Sequence, residues 1–199
     1  MGNYDEMKEQ TIQRFQSIHK NFTKLFGTDD FFIAGGAIRD FVQSCSDPKD
    51  YDVFVTCENS YFTINQALEK AGYKVQLTRE NSTVYEKEDE LDIDVIQVDP
   101  GLDRTPMDDF DLTCCTAEFG PDGLNHHPDF FKDVQEQLIN INKLKLPYYT
   151  YKRIAKHIRK GYSVTPEVLV KVMNYAVEEM SKTQAPESND PKSEKSSSL

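Results

Sequence analysis

No stretch of this 199-residue chain approaches the roughly 20 apolar residues that a membrane span requires, and no signal-peptide hydrophobic core is visible. A protein of the cytosol is expected. Cysteine is scarce and poorly spaced: Cys45, Cys57, Cys114 and Cys115 form no Cys-x-x-Cys pair, and adjacent cysteines make poor disulfide partners. All four are expected reduced, with Cys114-Cys115 packed in the core. A zinc signature is missing too. His126 and His127 are adjacent, point in different directions and have no second pair at ligand spacing. Positive charge is in short supply, 23 Lys and Arg against 34 Asp and Glu, for a net charge of −11. That balance argues against a surface coated for indiscriminate nucleic-acid binding. No internal repeat is present.

What is present is a glycine pair followed by alternating acids. Phe31-Phe32-Ile33 reads as a short buried strand, after which Gly35-Gly36 allows a sharp turn and opens the helical run Ala37-Ile38-Arg39-Asp40-Phe41-Val42. The amino end of such a helix attracts phosphate. After the turn residues Asp47-Pro48-Lys49, the segment Asp50-Tyr51-Asp52-Val53-Phe54-Val55 has strand composition, so Asp50 and Asp52 share one face. Two acids on one face repel unless a cation lies between them, and Mg²⁺ takes carboxylates together with substrate phosphates. A solvated acidic strand would give the same tripeptide. A third acid separates the two readings: Asp94 lies inside the apolar centre of Leu91-Asp92-Ile93-Asp94-Val95-Ile96, where an unpaired carboxylate is costly to desolvate. Asp92 shares its face and is the rival for the role.

Together these residues resemble the nucleotidyltransferase superfamily of DNA polymerase beta, in particular the head domain of the CCA-adding enzyme and bacterial poly(A) polymerase family. The matching string is Gly35-Gly36-Ala37-Ile38-Arg39-Asp40, a spacer, then Pro48-Lys49-Asp50-Tyr51-Asp52-Val53. Asp111-Leu112-Thr113 is similar to the family's Asp-Phe-Thr element, Asp133 falls at a family acidic position, and Tyr151 to Tyr162 is similar to the helix that opens its neck. The resemblance implies an α/β (α+β) core with a small mixed sheet. It implies transfer of a nucleoside monophosphate from a nucleoside triphosphate to a hydroxyl, with Mg²⁺ or Mn²⁺ as cofactor and two metals roughly 3.5–4 Å apart. Asp50, Asp52 and Asp94 would be the catalytic metal ligands. Gly35, Gly36 and Arg39 would serve the phosphates, with Asp111 and Thr113 also in the nucleotide-binding set. Two departures matter. Asp109-Phe110 stands where the family has paired arginines, and the chain stops soon after the neck-like helix. The short plan is similar to stand-alone members, including ones encoded by bacteriophages.

From Gln137 to Pro166 there is no acid, while Lys143, Lys145, Lys152, Arg153, Lys156, Arg159 and Lys160 supply seven positive charges among Tyr148, Tyr149, Tyr151 and Tyr162. Cations and aromatic faces together suit bases and phosphates. Arg153 and Lys156, three apart on one helical face, are the first choices for nucleotide or acceptor contact. The acceptor stays open among an RNA 3′ end, a protein hydroxyl and a small molecule, with the basic helix favouring RNA. A nucleotide-binding or interaction protein that uses the same pocket without turnover is the other reading.

Helices are expected at residues 5 to 26, from an N-cap at Ser60 to Ala71, at 129 to 138, at 151 to 160 and at 166 to 180, with strands at 73 to 77 and 83 to 86. The carboxylates are expected at one edge of the sheet. The expected organisation is a core over 1–140, a basic neck-like appendage over 141–180 and a disordered tail over 181–199, where only one residue is apolar and larger than alanine.

Overall fold

The computed structural model describes residues 4–98 and 105–183. The chain runs α1 (Tyr4–Phe26), β1 (Phe32–Ala34), α2 (Gly36–Ser44), β2 (Asp50–Val55), α3 (Glu58–Lys70), β3 (Lys74–Thr78), β4 (Ser82–Glu86) and β5 (Asp92–Gln97). Short 3-10 turns at Pro106–Asp109 and Thr113–Cys115 lead into β6 (Ala117–Gly120), β7 (Gly123–His126), α4 (Phe130–Gln135), β8 (Leu138–Ile139), α5 (Pro147–Arg159), β9 (Ser163–Val164) and α6 (Pro166–Thr183). Helix α6 runs three residues past the expected start of the tail; the rest of that tail lies outside the described residues.

Seven strands form one mixed sheet in the order β3-β4-β5-β2-β1-β6-β7. Strands β2 and β5 pair in parallel, and the other pairings are antiparallel. The acid-bearing strands thus lie at the centre of the sheet and not at an edge, because β1 with the β6–β7 hairpin adds to one side of β2 and the β3–β4–β5 meander to the other.

Strand periodicity separates core from site. Tyr51, Val53 and Val55 of β2 and Ile93 and Val95 of β5 are buried. They face α1 and α3, which contribute Phe15, Ile18, Ile64 and Leu68, and the Phe22 ring of α1 meets Tyr51 edge-on at 5.2 Å. Each buried aliphatic side chain there contributes on the order of 1.5–3 kcal/mol. The alternate residues Asp50, Asp52, Asp92 and Asp94 therefore project from the opposite face.

Local chemistry moved several boundaries. Helix α3 begins at Glu58 with Cys57 as its cap, and the Ser60 hydroxyl donates instead to Asp30 at 2.7 Å. Helix α4 stops at Gln135, because Gln137 takes a left-handed φ of 52° and the chain turns into β8. Helix α5 starts early, at Pro147, whose fixed φ suits a first turn. The two-residue strands β8 and β9 pair in parallel and close a loop around α5.

Candidate active site

The register of β2 against β5 sets Asp50 beside Asp92 and Asp52 beside Asp94. Asp52 is the electrostatic centre. Burial pushes its carboxyl up to about 6, Asp50 and Asp94 push the same way, and Lys156 and Arg39 pull against them. Asp94 has an asymmetric environment: Oδ2 accepts from Arg79 Nη1 at 2.9 Å, while Oδ1 is buried with no hydrogen-bond partner. A buried carboxylate oxygen without a donor is costly. With four acids on one face and one oxygen orphaned, the donor set is hard, anionic and short of positive charge, which fits Mg²⁺ or Mn²⁺. Between the candidates for third acid, the orphaned oxygen and the position beside Asp52 favour Asp94 over Asp92.

At the glycine turn, Gly35 has φ +71°, a conformation that favours glycine, and caps α2. An added Cβ there would lie 3.6 Å from the Phe110 ring and 3.9 Å from Asp52 Oδ2. Phe110 also meets Phe54 at 5.8 Å, so an aromatic wall stands next to Asp52. The Gly35 amide donates to the Ala117 carbonyl at 3.0 Å and is occupied, which leaves Gly36 and the amides behind it as the free donors of the helix start.

Arg39 is buried, and all three of its donor nitrogens have partners. Its Nε and Nη2 bind Asp40 Oδ1 at 2.8 and 2.6 Å, and Nη1 reaches His157 Nε2 at 2.9 Å and Cys115 Sγ at 3.3 Å. Burial works against the guanidinium charge, but Cys115 and Asp40 more than offset it and raise the pKa. The hydrogen bonds define the imidazole: Nδ1–H donates to the Arg153 carbonyl at 2.8 Å, leaving Nε2 to accept from Arg39. A hydrogen bond from Cys114 and the charge of the Arg39 guanidinium hold the Cys115 thiol well below its usual range, against burial, which pushes it up. Cys115 is therefore part of a polar hub, whereas core packing was expected. Cys114, Cys115 and His157 bring ligand atoms within 4.8 Å of one another. The Arg39 guanidinium donates into that same space, so the cluster suits an internal ion network better than a metal.

The Asp111-Leu112-Thr113 element is buried beneath α4 and α5. Asp111 Oδ2 accepts from Thr150 at 2.8 Å and Arg153 at 2.6 Å, and the Thr113 hydroxyl donates to Asp133. Asp133 is held further by Asn140 at 3.0 Å. These residues dock the helices, and Arg153 spends one nitrogen there. Lys156, one turn further along, is exposed and close enough to favour ionised Asp52. The structure thus gathers Asp50, Asp52, Asp94, Gly35 and Lys156 around one face, with Arg39 just behind it. Asp111 and Thr113 lie in the supporting frame. Sequence reasoning missed Arg79, Asp40, Thr150 and His157; a lone turn arginine and a single helical histidine carry no spacing signal.

A central parallel strand pair bearing four acids lies beside a glycine turn at a helix start, in a fold shared with CCA-adding enzymes. Solved structures agree on the fold. A Thermotoga maritima CCA-adding enzyme complexed with tRNA matches with a TM-score of 0.64 at 15% identity, over 86% of this chain and 45% of that one. A CCA-adding enzyme complexed with ATP matches at 0.60 and 14% identity, over 90% and 47%. A tRNA-processing enzyme in an apo form matches at 0.60 and 16% identity, over 87% and 49%. The chain spans about half the length of these proteins. Residues 6–137 match the model of the Gabija anti-defense 2 family, and the chain belongs to that family. Comparison with curated proteins finds no match.

Proposed function

We propose that the chain is a metal-dependent nucleotidyltransferase that moves a nucleoside monophosphate from a nucleoside triphosphate to an acceptor hydroxyl. The observation that carries this reading is the pairing of Asp52 with Asp94 across parallel strands, with one Asp94 oxygen buried and unpartnered. Asp50, Asp52 and Asp94 would hold Mg²⁺ or Mn²⁺, which would neutralise the phosphoryl oxygens and activate the attacking hydroxyl.

The chain's own groups supply the rest. Amides from Gly36 onward receive the phosphates at the positive end of α2. Lys156 adds mobile positive charge from α5, and the Phe54–Phe110 wall offers an apolar face for base or ribose. Arg39 contributes charge from behind, through its ties to Asp40 and His157. On this reading residues 1–140 are the catalytic core and 141–180 a neck-like appendage. The acceptor is an RNA 3′ end, a protein hydroxyl or a small molecule, with Tyr148, Tyr149 and Tyr151 exposed on α5 in favour of RNA. The family description supports action against the Gabija defence, and on this reading the protein works in a bacterial or phage-infected host cytosol.

Incubation with each alpha-labelled triphosphate, Mg²⁺ or Mn²⁺, and total cellular RNA and protein tests the proposal. Label should appear in one fraction and vanish with Asp52→Asn. A second reading, nucleotide binding without turnover, draws on Phe110 covering Gly35 where the resemblance would place arginine. Nucleotide binding with no labelled product in any fraction would establish it.

A further inference from the structure

The β3–β4 turn delivers a cation to the third carboxylate. Arg79 begins this turn, its amide donating to the Ser82 carbonyl at 2.8 Å. Its Nη1 bridges Ser82 Oγ at 3.0 Å and Asp94 Oδ2 at 2.9 Å. The two partners differ in exposure: the Arg79 side chain is 52% exposed and the Asp94 side chain 20%. Arginine can therefore swing into solvent while Asp94 stays anchored in β5. Asp94 is also the acid whose other oxygen has no partner, so the guanidinium satisfies half of a carboxylate that needs more positive charge than it receives.

We infer that Arg79 is a latch on Asp94: it competes with the divalent metal for that carboxylate and is displaced when metal binds. Arg79 is a positioning residue in this scheme, acting through Asp94. The inference rests on the reading of Asp50, Asp52 and Asp94 as metal ligands. A single guanidinium neutralises one charge on a face that carries Asp50, Asp52, Asp92 and Asp94, with Lys156 as a second, more distant cation. A divalent ion would satisfy both Asp94 oxygens and the repulsion around Asp52 together, so the exchange runs toward metal. Without the latch, the free protein has more unbalanced negative charge and binds metal more tightly. A purely structural arginine that only pinned the turn would predict the reverse, since loosening the turn would misplace Asp94.

Mn²⁺ titration of the whole protein without nucleotide, followed by electron paramagnetic resonance of the free ion, separates these outcomes. Arg79→Gln should lower the dissociation constant by about two- to fivefold, the range of one half-exposed ion pair. Arg79→Lys should remain near wild type, and Asp52→Asn should lose the site. Mn²⁺ should also raise the melting temperature of Arg79→Gln more than that of wild type, and Arg79→Ala should repeat both results should the glutamine variant fold poorly. Equal or weaker Mn²⁺ binding by Arg79→Gln, with binding still abolished by Asp52→Asn, overturns the latch and leaves the metal site standing. Binding indifferent to Asp52→Asn overturns the metal site, and the latch with it.

Discussion

Asp52 carries a carboxyl pushed up to about 6 by burial and by Asp50 and Asp94. A group whose folded value lies above its unfolded value adds stability at low pH and loses it as pH rises through the folded value. For Asp52 that window runs from about pH 4 to about pH 6. Asp52→Asn should therefore gain stability over wild type as pH rises from about 4 to about 6, by about 1–2 kcal/mol in all once the partial exposure of the site is allowed for, while nucleotidyl transfer disappears. Melting temperatures of both proteins from pH 4 to 8 test this; parallel curves would refute it. Lys156 and Arg153 also part company at this scale. Lys156→Glu should raise the Michaelis constant for nucleotide or acceptor about tenfold with little change in melting temperature, since one charge contact contributes on the order of 1.4 kcal/mol. Arg153→Glu should lower the melting temperature, because it sets a second acid against buried Asp111. Steady-state kinetics beside thermal melts would show whether the two effects separate.

At the scale of elements, α5 is held by a buried acid and not by apolar contact alone. Asp111 receives Thr150 and Arg153 from that helix, and His157 receives Arg39 from α2. Asp111→Asn should cost about 1–3 kcal/mol and speed amide exchange in α5 ahead of the central strands. Exchange in α5 no faster in Asp111→Asn than in wild type would count against this anchoring. The sequence made β2, β5 and the turn at Gly35 legible because their signals are local: alternation, glycine and a turn tripeptide. Ser60 misled because a good cap residue can find a stronger partner, here Asp30. The β8–β9 pair, two residues each, falls below any periodicity. Arg79 and the Arg39–His157–Cys115 hub depend on contacts between distant segments, which pattern alone does not supply. The placement of the carboxylates at one edge of the sheet was misjudged for the same reason.

Across the whole molecule, the basic stretch of α5 lies over an otherwise acidic chain, so its charge is aimed at the carboxylate face through Lys156 and at Asp40 through Lys160, 3.3 Å away. Among the described residues no helix is long and apolar enough to cross a membrane. Metal bound to the native chain and not to its unfolded form adds stability by mass action. Saturating Mg²⁺ or Mn²⁺ should raise the melting temperature of wild type, chelation should return it to baseline, and the double variant Asp50→Asn, Asp52→Asn should ignore both. A metal-dependent rise that persisted in the double variant would place the ion elsewhere.

The parallel pairing of β2 with β5 ties chemistry to folding fidelity. Alternate residues of the same two strands face opposite ways, Val53, Val55, Ile93 and Val95 into the apolar layer and Asp50, Asp52 and Asp94 away from it. A slip of one residue in either strand would bury acids and expose valines at once. A chain that has packed its interior has therefore also aligned its carboxylates, and a misaligned site cannot persist inside a well-packed molecule.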